Sequence, residues 1–231
     1  MNYKDLEFST YPGFDEYILV KNLVDTPVKY KRGASYETIY NNEFNKWQDF
    51  FCQQYQVPAG KDVLLLHCCS WAKPYDFSII INPIKQIADK YKNVHRVIMS
   101  NVGVVPYEFQ MNETFCGYDF MNVDNEEKNV QEINHLYAKS LEERLFQYLE
   151  SHIDRYKQVV LYSRPINMGN APAVKNACER AGIPLIIEPN IDIYVKYRQK
   201  KYKQLDELFI EKECLDSLDK TLQLVGEKVG S

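Results

Sequence analysis

Four short apolar runs, each followed by a polar loop and then by a stretch of helical character, constrain this chain more than any other feature. Residues 62–67 (DVLLLH), 95–100 (HRVIMS), 158–163 (QVVLYS) and 183–188 (IPLIIE) are near-continuous hydrophobic segments of strand length. That is the pattern of strands buried on both faces. Helical patterns lie between and after them. Residues 82–91 (NPIKQIADKY) read as a helix with Asn82 as cap and Pro83 at the first helical position. Residues 126–152 place Ile133, Leu136, Tyr137, Leu141, Leu145 and Leu149 on one face. Residues 171–182 (APAVKNACERAG) stop at Gly182, and residues 203–227 close the chain as another helical stretch. The alternation predicts an α/β fold: a single domain with a mainly parallel central sheet and helices on both faces. This is a three-layer sandwich of the Rossmann-like or glycosylase-like kind.

The first sixty residues follow a different pattern. EYILVKNLV (16–24) suggests a strand, and SYETIYNNEFNKWQDFFCQQY (35–55) an amphipathic helix. They are expected to flank the sheet of residues 61–190, with a basic segment and C-terminal helix over 191–231, all within one domain spanning 1–231. A chain of 231 residues can bury one sizeable core. With 45% hydrophobic and 26% charged residues it is globular rather than disordered. No apolar run reaches the length of a membrane span, and the start lacks the apolar core of a secretory signal. The six cysteines show no CxxC spacing, and the four histidines have no metal-ligand spacing to them. The expectation is a cytoplasmic protein with reduced thiols, no metal, no cofactor and no membrane partner. A net charge of -4 excludes general binding to polyanions, so any nucleic-acid contact must come from a local patch.

In open parallel sheets, ligands sit beyond the carboxyl ends of the strands. Three segments fall there: CCSWAKPYDFS (68–78), NVGVVPYEF (101–109) and SRPINMGNAP (163–172). In the first, Lys73 suits binding a carboxylate or phosphate, or steering a proton, against the ordinary fate of a solvated lysine. Pro74 biases it toward an extended backbone. Tyr75 can stack on a base or serve as a core aromatic, and Ser78 can contact ligand or cap the next helix. In the second, Ser100 and Asn101 end a strand, Gly103 permits close backbone approach to a ligand, and Glu108 can orient an amine or act as a base. An exposed glutamate is the plainer alternative. In the third, Arg164 can pair with phosphate or form a surface salt bridge.

These loops also carry a resemblance. CSWAKPYDFS (69–78), IMSNVGVVPYEF (98–109) and GYDF (117–120) resemble the catalytic core domain of archaeosine synthase. That family shows Pro-Cys, three residues, Lys-Pro-Tyr, two residues, Ser, two residues, His, and then Ser-x-x-Gly-Val-Val-Pro and Tyr-Asp. Cys68 stands at the family's proline and Ile81 at its histidine. The further RNA-binding domains of the full-length enzymes have no counterpart in this length. The resemblance implies transfer of an amine or amino acid to the nitrile of a deazaguanine base. Cys69 would be a covalent nucleophile, Lys73 would bind an anion, and Asp119 would bind the amino group or a base edge. Read without the resemblance, Cys69 is equally a small buried hydrophobe.

Positive charge gathers at KYKR (29–32) and YVKYRQKKYK (194–203). In the second, Lys196, Arg198, Lys200, Lys201 and Lys203 interleave with tyrosines. The mix suits a nucleic-acid backbone with stacked bases, or a helix face neutralised by the acidic segment that follows. The sequence therefore carries three functional readings. The first is a transferase modifying a nucleic-acid base, with nucleic acid or a modified nucleotide and an amine or amino acid as its partners. The second is a base glycosylase or base-exchange enzyme, for which the first loop offers only Asp76 as a water-positioning carboxylate. The third is a non-catalytic nucleotide- or nucleic-acid-binding module.

Overall fold

The computed structural model describes residues 31–32, 36–70, 73–116, 118–119, 127–165, 169–203 and 205–229. In chain order these form β1 (Lys31–Arg32), α1 (Tyr36–Ile39), α2 (Asn42–Gln53), β2 (Val63–Cys68), α3 (Ile81–Ala88), β3 (Val94–Ser100) and β4 (Gly103–Pro106). They continue with α4 (Glu113–Cys116), β5 (Tyr118–Asp119), α5 (Glu127–Ser151), β6 (Gln158–Tyr162), α6 (Ala171–Ala181), β7 (Leu185–Glu188), α7 (Ile191–Arg198) and α8 (Lys212–Val229). Short 3-10 turns occupy Tyr75–Phe77, Tyr107–Phe109 and Leu205–Ile210.

The five-stranded sheet has the order β4-β3-β2-β6-β7. Strands β3, β2, β6 and β7 are parallel, and β4 pairs antiparallel to β3 at the edge. Alternation along β2 divides the core. Leu64 and Leu66 face Phe44, Trp47, Leu145 and Val174 of α2, α5 and α6. Val63 and Leu65 face Ile84, Tyr194 and Leu218 of α3, α7 and α8. Leu64, Leu65 and Leu66 are each fully buried, worth about 1.5–3 kcal/mol apiece in transfer terms. The three-layer α/β architecture is thus the one the alternating pattern implies.

Several boundaries differ from the sequence reading. Residues 103–106 form a strand rather than a loop, because Val104 and Val105 complete the ladder along β3. Helix α3 begins at Ile81, so Asn82 is not its cap and Pro83 is its third residue. The Ser78 hydroxyl instead accepts from the Ile80 N–H, and the Asn82 amide donates back to the Asp76 carbonyl. The expected helix over 35–55 is two pieces, with Asn41 capping the second by accepting from the Glu43 N–H. The closing stretch breaks into a 3-10 turn and α8. The strand expected at 16–24 and the basic tetrad's first two residues lie outside the described residues.

Candidate functional site

Helix α3, which follows β2, covers one face of the sheet, and α6, which follows β6, covers the other. The chain direction therefore reverses between β2 and β6, and a crevice opens at their carboxyl ends. A cleft of about 250 Å³ sits there, lined by Cys68, Cys69 and Ser70 after β2, Ser163 and Arg164 after β6, and Asp206 opposite, among others. Ile81 also lines it. A larger concavity, about 660 Å³, runs along β7 and is walled by apolar residues such as Ile183, Leu185 and Ile187. It holds none of the motif residues; the smaller cleft is where the loops after β2 and β6 meet.

The two cysteines differ in surroundings. Cys68 lies 3.3 Å from the Ser163 hydroxyl. Burial pushes its thiol up to about 11, with the Ser163 hydrogen bond opposing the shift. Burial also pushes the Cys69 thiol up, and here the Lys73 charge and the Asn101 backbone N–H oppose it. Those two influences reach Cys69 from the first and second loops, so the loops after β2 and β3 come together at one end of the sheet. The Cys69 N–H in turn donates to the Met99 carbonyl. Ser70 donates to the Ser78 hydroxyl at 2.7 Å, which ties the start of the first loop to its end.

Other residues singled out in the sequence stand elsewhere. Tyr75 is fully enclosed in the core beneath the loop, where its ring has no face left for stacking on a base. Ser78 is buried, and its hydroxyl accepts from the Ile80 N–H just ahead of α3 without capping that helix. Ser100 donates to the Gly103 carbonyl and accepts from the Val102 N–H, closing the β3–β4 turn. Gly103 has φ +111°, and a Cβ there would sit 2.7 Å from Arg144 Cδ. What approaches this glycine closely is therefore the Arg144 side chain rather than the cleft. Glu108 is buried, not exposed, and its carboxylate meets His95 Nε2 at 3.1 and 3.2 Å. Asp119 lies in β5, in register with Arg32, and its side chain falls outside the described residues. Arg164 Nη2 donates to Asp206 at 2.9 Å.

Asp76 and Arg96 form a feature the motif reading underweighted. The Arg96 guanidinium grips both carboxylate oxygens at 2.6 and 3.0 Å, and Gln110 adds a third bond at 3.0 Å. All three side chains are buried. Asp76 thus anchors the first loop to β3. Arg96, placed among apolar strand residues, was the available sequence signal: an arginine buried in a strand must have a carboxylate partner.

The basic segment 194–203 is α7 and its exit. Tyr194 and Tyr197 turn inward and are buried, so they serve the core rather than present rings to bases. Lys196 pairs with Glu213, and Lys200 with Glu211 at 3.0 Å. Arg198, Lys201 and Lys203 are exposed. Among the described residues, no cluster of three or more His, Cys, Asp or Glu side chains is arranged to hold a metal. No helix among them is long and apolar enough to cross a membrane.

No curated protein matches the chain. Among solved structures it is similar to AF0587, a protein of unknown function, at 18% identity and a TM-score of 0.47. The match covers 76% of this chain and 49% of that one, so the chain spans about half the length of this relative. Residues 44–177, more than half of the chain, match the model of a family described as a domain of unknown function, DUF5591. The span runs from α2 to α6 and takes in the first two motif loops and the cleft's floor. The chain belongs to the DUF5591 family.

Proposed function

We propose that the chain is an enzyme that modifies a nucleobase by transferring an amine or amino acid to it, related to the archaeosine synthase core. One observation carries the reading. Cys69, in the loop bearing the Lys-Pro-Tyr motif, lines a cleft at the point where the strand order reverses, with Lys73 and the Asn101 N–H acting on its sulfur. A volume of about 250 Å³ suits a base-sized group. The proposed chemistry balances without a cofactor. The Cys69 S–H adds across a C≡N bond, giving a thioimidate. An incoming amine then adds to that carbon, and the thiol leaves with its proton, yielding an amidine. The Asn101 N–H and the Lys73 charge stabilise the sulfur as it becomes anionic, which offsets the burial that otherwise keeps it protonated.

Nucleic acid or a modified nucleotide is the proposed substrate, held by Arg164 at the cleft and by Arg198, Lys201 and Lys203 outside it. A reducing, cytoplasmic setting fits six cysteines that are all free thiols. The glycosylase alternative needs a carboxylate that positions water, and Asp76 has both oxygens committed to Arg96. The binding-module alternative draws support from the elevated Cys69 thiol.

Cys69→Ser separates these readings. The variant should retain base binding while turnover falls by about a hundredfold or more, since a hydroxyl at this site is a far weaker nucleophile. The readout is mass spectrometry of nucleosides from cells carrying the protein or the variant. Unchanged product with Cys69→Ser would overturn the covalent route, and no altered nucleoside with the wild type would overturn base modification.

A further inference from the structure

Arg164 and Asp206 are the one cation and the one anion among the described residues that line the cleft. They face each other across it, joined by a single contact at 2.9 Å between Arg164 Nη2 and Asp206 Oδ1. Both side chains are substantially exposed, at 38% and 53%. An exposed pair of this kind holds weakly, because water competes for both partners. A guanidinium also offers two parallel donors to an oxyanion, and among the described residues only one contact is made here.

The surroundings on the Arg164 side favour negative charge. The Arg164 stem lies against Gly169, where φ is +56° and an added Cβ would touch Arg164 Cδ at 3.6 Å. Asn170 follows at the start of α6, and its side chain makes no capping hydrogen bond with that helix. The Ser163 hydroxyl lines the same wall. Ser163, Arg164, Gly169 and Asn170, all with polar N–H or O–H groups, thus line one wall of the cleft.

We propose that this corner of the cleft is an oxyanion subsite, taking the phosphate or carboxylate of a substrate, and that Asp206 occupies it as a built-in competitor until such a group displaces it. The proposal rests on the cleft being the substrate site, and it adds a substrate requirement and a means of restraint. Asp206 lies on the 3-10 turn Leu205–Ile210, which is held to the sheet by the Tyr162 hydroxyl donating to the Phe209 carbonyl at 2.7 Å. The competing carboxylate is therefore presented from a fixed support. An incoming anion must exchange with it at Arg164, and the displaced Asp206 side chain moves into solvent without loss of packing.

The full chain, isotope-labelled, would be titrated with inorganic phosphate, acetate and guanosine. The Arg164 side-chain N–H and the Gly169 and Asn170 amides would be followed by NMR. If Asp206 holds Arg164 for about three-quarters of the time, in keeping with an exposed pair, Asp206→Asn should lower the half-saturating anion concentration by about fourfold, since apparent affinity scales with the competent fraction. Arg164→Gln should abolish the response. A stronger response to phosphate than to acetate, or the reverse, identifies which group the subsite takes. Equal half-saturation in wild type and Asp206→Asn, or shifts that persist in Arg164→Gln, would overturn the proposal. Guanosine carries no anion and reports on the base-sized cleft alone. Its failure to bind, with the anion response intact, would overturn recognition of a guanine-type base in the cleft and leave the subsite standing.

Discussion

The two ends of the parallel sheet hold polar clusters of opposite character. At the amino end, His95 Nδ1 meets the Tyr156 hydroxyl at 2.6 Å, Nε2 meets Glu108, and Tyr156 bonds Tyr148 at 2.8 Å. Every member is buried, and burial pushes the phenols of Tyr148 and Tyr156 far above their usual range. Each polar atom is answered by another from the protein, so the cluster is closed and has nothing to offer a ligand. At the carboxyl end, Cys68, Cys69, Ser70 and Arg164 are partly exposed around a cleft, and among the described residues Arg164 makes one contact where two are possible. Polar residue types alone do not mark a site. Saturation by protein partners decides whether a cluster serves the fold or remains open to chemistry, because a satisfied buried group has no further bond to give.

The Asp76–Arg96 pair tests this distinction most strongly. It belongs to the motif loop of the open end yet is closed in the manner of the other. Asp76→Ala would leave a buried guanidinium uncompensated and should cost about 3–5 kcal/mol, read as a lowered urea midpoint. A loss below 1 kcal/mol would mean the pair is not the loop's anchor. The next effect comes from His67, fully buried between the two ends. Its Nδ1 lies 3.0 Å from the Cys68 carbonyl. Since a carbonyl only accepts, Nδ1 carries the proton, and Nε2 is a buried acceptor with no partner among the described residues. Burial first, then the Arg96 charge, lowers its pKa to about 4. As pH falls, the unfolded chain takes up this proton before the folded one does. The stability His67 contributes is complete above its ordinary value of about 6.5 and drains away toward 4, up to about 3 kcal/mol in all. His67→Gln should flatten the wild-type decline between these values by that amount. Identical slopes in the two proteins would show that His67 titrates normally.

Much of the sheet is legible in the sequence because strands buried on both faces are apolar throughout. Residues 62–67 and 158–163 differ from β2 and β6 by a single residue at each shifted boundary. Gly182 ends α6 in the left-handed conformation, φ +70°, as its position implied. Strand β4 escaped because two valines between a glycine and a proline are too short a run to signal a strand; pairing with β3 makes it one. The site was legible only in part. Cys69 and Arg164 line the cleft, but Tyr75 and Glu108 have partners set by tertiary packing, and no local pattern shows that Glu108 faces His95. Asp206 was not singled out because its pairing with Arg164 spans 42 residues and depends on the 3-10 turn being brought over the cleft.

The smallest expected effect separates two neighbours within the open end. The Ser163 hydroxyl lies beside the Cys68 sulfur and lowers that thiol's pKa against the upward push of burial. When the thiolate forms, the hydroxyl is the only possible donor of the two. Ser163→Ala removes that donor, so the Cys68 thiol should move still higher and its thiolate fraction at a given alkaline pH should fall. Alkylation follows the thiolate, and the loss of one hydrogen bond to a charged group should slow Cys68 labelling by iodoacetamide by about tenfold. Cys69 takes its stabilisation from Lys73 and Asn101, and its labelling rate should stay within about twofold. Stability should fall by about 1 kcal/mol, the net worth of one hydrogen bond, since Ser163 is buried and the partner its hydroxyl leaves behind is a thiol. Peptide mapping by mass spectrometry after timed labelling gives both rates in one experiment. Equal slowing of both cysteines would mean that Ser163→Ala has disturbed the loop as a whole. Slowing confined to Cys68 would show that the carboxyl end holds its two thiols in separately tuned surroundings, which the saturated network at the amino end does not allow its own members.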